Sequence, residues 1–89
     1  MTFDVNDFMA RVSIDRQTLA VWIEEEWLAP HGNPDALRFS ELDIARARLI
    51  HDLTNDLGVN IEGVGVALRL IDQVHDLRRA LAEAVSRSR

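Results

Sequence analysis

The sequence predicts a mainly α fold: a helix, a turn, a second helix, a wing, a third helix and one long terminal helix. Three observations predict it. The segment "SIDRQTLAVWIEE" sets a turn and an N-cap immediately before an apolar helical face. "APHGNPDALRF" gathers Pro, Gly and Asn between two helical patterns and ends in a short extended run. From Asn60 onward, apolar residues recur at helical spacing with no proline to interrupt them.

Composition narrows the function before any motif does. Eighty-nine residues are expected to form one domain with a small core. The absence of cysteine excludes disulfides, thiolate metal sites and thiol nucleophiles. Apolar runs are far too short to span a membrane, and the acidic opening "MTFDVNDF" does not read as a secretory signal. A cytoplasmic location is therefore expected. Fifteen acidic residues face ten arginines and no lysine, for a formal net charge of −5. Affinity for nucleic acid comes from neutralising phosphates, so nucleic acid is an unlikely partner unless a local basic patch exists.

Each element has a local reason. Phe3 to Val5 reads as an extended entry, with Asn6 capping a first helix that runs to about Val12 and turns Phe8 and Met9 inward. Asp15 caps a second helix from Arg16 to about Glu25, where Leu19, Trp22 and Ile23 share one face. The turn-rich stretch after it reads as a hairpin-like wing. Ser40 and Asp43 form a capping box for a third helix reaching about Leu57, with Leu42, Ala45, Leu49, Leu53 and Leu57 assigned to the core. Gly58 stops it, and Asn60 caps the last helix, roughly 61–86.

Such a helix is about 39 Å long at 1.5 Å per residue, whereas a domain of this size is only about 25–30 Å across. Its first half offers Val64, Ala67, Leu68 and Ile71 for docking. Its second half continues an apolar stripe through Leu70, Val74, Leu77, Leu81 and Ala84, spaced 4-3-4-3. The stripe either folds back on its own domain or meets a second copy. No remaining segment is free to cover it, so a homodimer is expected.

The residues "TLAVWIEEEWLAP", "RFSELDIARARLI" and "DLGVNIEGV" together resemble the MerR superfamily. That resemblance implies a MerR-like winged helix-turn-helix with a long C-terminal dimerisation helix, divided as a body over 1–58 and a docking and dimerisation helix over 59–89. A narrower likeness lies in "GVGVALRLIDQVHDLRRAL" and the opening "FDVNDF", which resemble the CbpM-type chaperone modulators through Gly63, Val66, Ala67, Leu68, Leu70, Ile71 and Asp72. Members of that group are short dimers. The resemblance implies binding to the J-domain of a DnaJ/CbpA-like co-chaperone, which inhibits its action with Hsp70.

Departures from the MerR pattern bear on function. Ala20 and Val21 stand where DNA-binding members usually hold phosphate-gripping Arg and Tyr, and Leu37 replaces an Arg of the wing. Arg16 and Arg38 remain as candidate phosphate contacts, which keeps a MerR-family DNA-binding regulator as the alternative function. Glu26 replaces the usual Gly at the end of the second helix, so that helix is expected to end differently if the position needs positive φ.

Other chemistry is thin. His31, His51 and His75 lack metal-ligand spacing, and no carboxylate has a nucleophile or base at a catalytic spacing. Gly63-Val64-Gly65 lacks the strand and third Gly of a phosphate loop. No catalytic residue, metal or cofactor is expected, and the protein reads as non-enzymatic. Trp22 is assigned to the core; Trp27 fits either the core or a contact surface. The "EEE" run from Glu24 to Glu26 ends a helix, where negative charge opposes the macrodipole at a cost of up to about 1 kcal/mol each. Stability does not explain it. It is either a solvated surface run or, in Glu24 and Glu25 with Trp27 beside them, an acidic contact patch for a basic partner helix, while Glu26 marks the helix end.

Overall fold

The computed structural model describes residues 1–88. It divides into two compact units, residues 1–59 and the segment from Asn60 onward.

The first unit opens with strand β1 (Thr2–Phe3), followed by helices α1 (Val5–Val12) and α2 (Arg16–Glu24). Strand β2 (Phe39–Ser40) then leads into helix α3 (Glu41–His51). β1 and β2 pair antiparallel, Phe3 against Phe39. This pairing corrects the expected first cap. The chain leaves the strand so abruptly that Asp4, not Asn6, caps α1, accepting the Asp7 amide at 2.8 Å. Asn6 instead accepts a hydrogen bond from Arg16 at 3.2 Å. Asp15 caps α2 as expected, and the Thr18 backbone amide donating to its carboxylate holds its pKa below the usual aspartate value.

The wing is present in miniature. His31 and Arg38 exchange backbone hydrogen bonds of 2.8 and 2.7 Å across the turn. Gly32 is required there: it has φ 93°, and a Cβ would stand 2.8 Å from the Ala36 carbonyl oxygen.

The core of this unit is aromatic. Phe8 and Phe39 are fully buried and stack with centroids 4.1 Å apart. Phe3, Val12, Leu19, Trp22, Trp27, Leu28, Ile44, Ala47 and Ile50 complete the buried set.

The phase of α3 differs from the expected one. The buried stripe is Ile44, Ala47 and Ile50, while Leu42 and Ala45 are exposed and Leu49 and Leu53 half-buried; Leu57 is 71% exposed. The capping box sets this rotation. Asp43 is itself buried, accepting Ser40 N at 2.9 Å and Ala29 N at 3.4 Å, so the face beside it turns inward. A helix with two apolar stripes is rotated by the polar group that has fixed partners. Beyond His51 the helix widens into a π-turn over Asp52–Asp56, where Thr54 Oγ1 donates to the Ile50 carbonyl at 2.9 Å. Gly58, at φ 65°, then ends the segment as expected.

The second unit is one helix, α4 (Ile61–Arg87), 27 residues and about 40 Å long. Asn60 caps it, accepting the Gly63 amide at 2.8 Å. Val64 and Leu68 are buried and Ala67 and Ile71 half-buried; beyond Ile71 every described residue is exposed.

Candidate protein-interaction surfaces

The end of α2 shows why three glutamates can stand in a row there. Glu25 is the C-cap, and Glu26 takes the left-handed conformation at φ 62°. The Glu26 amide donates to the Ile23 carbonyl and the Trp27 amide to the Trp22 carbonyl, both at 3.0 Å, which completes a Schellman ending. The position therefore takes positive φ with Glu in place of Gly. A side chain there is disfavoured by about 1 kcal/mol relative to Gly. Glu26 is held by the six-residue bond that buries Trp27 immediately after it.

Trp27, one of the two alternatives left by the sequence, belongs to the core at 5% exposure. Its carbonyl accepts a hydrogen bond from Arg46 Nε at 2.8 Å, so α3 braces the end of α2. Trp27 thus supports the glutamates from inside and does not share their surface. The brace was not legible in the sequence, since 19 residues separate its partners. Glu24, Glu25 and Glu26 are all exposed, and by helical spacing Glu24 lies on the side of α2 away from Leu19 and Trp22.

Their electrostatic setting is one-sided. Residues 1–59 hold eleven acidic and five basic side chains, net −6. Residues 60–89 hold four acidic and five basic, net +1, and the two together give the −5 of the chain. The two arginines named as candidate phosphate contacts have internal partners. Arg16 donates to Asn6, and Arg38 donates to the Thr2 hydroxyl at 3.1 Å and the Thr2 carbonyl at 3.2 Å. Arg16 is thereby tied to α1 and Arg38 to β1.

On α4 the stripe named from its spacing is open. Leu70, Val74, Leu77 and Leu81 are 44–70% exposed, Ala84 is exposed, and Val85 extends the same face. The ion pairs Asp76–Arg79 and Glu83–Arg87 lie at c, f and g positions of the repeat, off the a and d positions held by the stripe. Being exposed, they contribute little to stability.

The histidines are dispersed: His31 in the wing, His51 against the Asn55 amide at 2.7 Å, and His75 exposed on α4. Among the described residues, no group of His, Asp or Glu is arranged to hold a metal, and no helix is long and apolar enough to cross a membrane.

Comparison with known proteins agrees with this architecture. The family described as MerR HTH family regulatory protein matches residues 3–84. The chaperone modulatory protein CbpM of Coxiella burnetii strain Dugway 5J108-111 is 24% identical over 78 residues, covering 86% of this chain and 74% of the relative. The protein of the same name from Coxiella burnetii strain RSA 331 / Henzerling II matches with the same identity and coverage.

Proposed function

The chain belongs to the MerR HTH family of regulatory proteins, and from that premise we propose that it is a non-enzymatic chaperone modulator acting in the cytoplasm. It binds the J-domain of a DnaJ/CbpA-like co-chaperone and inhibits its action with Hsp70. The observation that carries this reading is the acidic outer end of α2. A helix-turn-helix that enters a DNA groove meets phosphates with this element, and here Glu24 and Glu25 would face them from a body of net charge −6. J-domains present a basic helix to an acidic surface of Hsp70, so an acidic helix end can compete for it, with opposite charge supplying steering and specificity. Similarity to CbpM supports the same direction.

The active form is a homodimer joined along Leu70, Val74, Leu77, Leu81 and Ala84. Their exposure and coiled-coil spacing support this. Family membership favours one second reading, a MerR-type DNA-binding regulator using Arg16 and Arg38. Two measurements separate the readings. The modulator binds a purified J-domain and leaves the promoter of its own gene unprotected at about 0.15 M salt. A palindromic footprint at that salt, with no J-domain binding, establishes the regulator instead.

A further inference from the structure

We propose that Ala20 and Val21 are the apolar anchor of the partner-binding face, and that its occupant is a basic amphipathic helix of the partner protein. This rests on the modulator reading above and adds to it a contact that is not ionic.

The outer face of α2 carries Gln17, Ala20, Val21, Glu24 and Glu25, all exposed, opposite the buried Leu19 and Trp22. Val21 is 39% exposed. A β-branched side chain lowers helix propensity, and at this exposure a substantial part of the Val21 apolar surface still faces solvent. Scattered surface apolar residues need no explanation, but this pair occupies the centre of the face, one turn before the two glutamates.

That arrangement selects its occupant. Val21 lies three and four residues from Glu24 and Glu25, so anything covering Val21 must also bring positive charge within reach of both carboxylates. A phosphate backbone brings the opposite sign. Ala20 adds a steric condition. Helix axes pack 8–10 Å apart, and small residues at the crossing allow the closer end of that range. The face spans two turns of one helix, a ridge that fits beside another helix. The complement is a helix with an apolar residue at the crossing and Lys or Arg one turn away. A second copy of α4, with Arg69, Arg78 and Arg79, is the competing occupant.

Burial of an apolar anchor and long-range charge act on different rate constants. Charge steers encounter, whereas desolvated apolar contact holds the complex once formed. The experiment is association and dissociation kinetics of the full chain with a purified J-domain fragment of a DnaJ/CbpA-like protein at low and high salt. Val21→Ser is expected to raise koff about three- to tenfold, with kon and its salt dependence unchanged. Glu24→Arg with Glu25→Arg is expected chiefly to lower kon. Thermal unfolding and sedimentation of V21S should match the original protein. If V21S leaves koff unchanged while the charge reversal weakens binding, the anchor is wrong and the modulator reading survives. If V21S dissociates the dimer, the second copy is the occupant and the proposal is overturned. If the original protein binds no J-domain, both fall together.

Discussion

The two units of this chain handle apolar surface in opposite ways. The first 59 residues contain eleven of the thirteen buried hydrophobic side chains, and α4 contains seven of the eleven large exposed ones. The body is acidic, aromatic at its centre and braced between elements distant in sequence, through Phe8 on Phe39 and Arg46 on Trp27. The helix is nearly neutral, and every hydrogen bond and ion pair named on it joins residues three or four apart. A body with few large apolar side chains left exposed can spend its outer charge on recognition. A helix with an open apolar face has that surface still to bury, and this contrast assigns the two proposed roles, partner binding and self-association.

The contrast breaks most severely if the aromatic stack is removed. Phe39→Ala is expected to destabilise the body by about 3–5 kcal/mol, because it leaves a cavity against Phe8. Chemical denaturation read by tryptophan fluorescence measures this, since Trp22 and Trp27 both lie in that core. An effect below about 1 kcal/mol shows that the stack is not central. Next in size is the assembly. Leu77→Asp with Leu81→Asp should convert the proposed dimer to a monomer by sedimentation, because unpaired charge cannot be buried in the seam. The body should keep its tryptophan signal in that monomer; a variant that stays dimeric places the seam elsewhere.

A smaller effect has the opposite sign. Glu26→Gly should stabilise the body by about 1 kcal/mol, since Gly adopts φ 62° without the Cβ penalty. A loss of stability would mean that the Glu26 side chain contributes more than its backbone conformation costs. The smallest effect concerns acid. Hydrogen bonding to the Thr18 amide lowers the pKa of Asp15, so its contribution is present above the unfolded value of 3.8 and is lost as pH falls through the folded value. Melting temperatures below about pH 4 should fall less steeply in Asp15→Asn than in the original protein. Parallel curves would show that this cap does not contribute to acid sensitivity.

Most of the architecture was legible because its signals are local. Asp15, Ser40 with Asp43, Gly58 and Asn60 each act within a few residues, and the structure uses them all as caps or stops. The errors arose where a distant partner decides. Asn6 lost the first cap to Asp4 because β1 pairs with a strand 36 residues away, and the buried stripe of α3 moved because Asp43 is bound to Ala29. At the candidate surface, the glutamates were visible as charge and the left-handed Glu26 as a departure from Gly. The assignment of Trp27 to the core was not settled by sequence, because it depends on the six-residue bond to Trp22 and the reach of Arg46 across 19 positions.

The most direct test of the modulator reading is the affinity of the J-domain for the protein carrying Glu24→Arg and Glu25→Arg. Both side chains are exposed, so the variant should keep its dimer and its melting temperature. The predicted result is a strong loss of binding, chiefly in association rate, and association of the original protein that slows as salt is raised. Unchanged affinity in the double variant, with salt-independent association of the original, would contradict the acidic end of α2 as the surface that meets the co-chaperone.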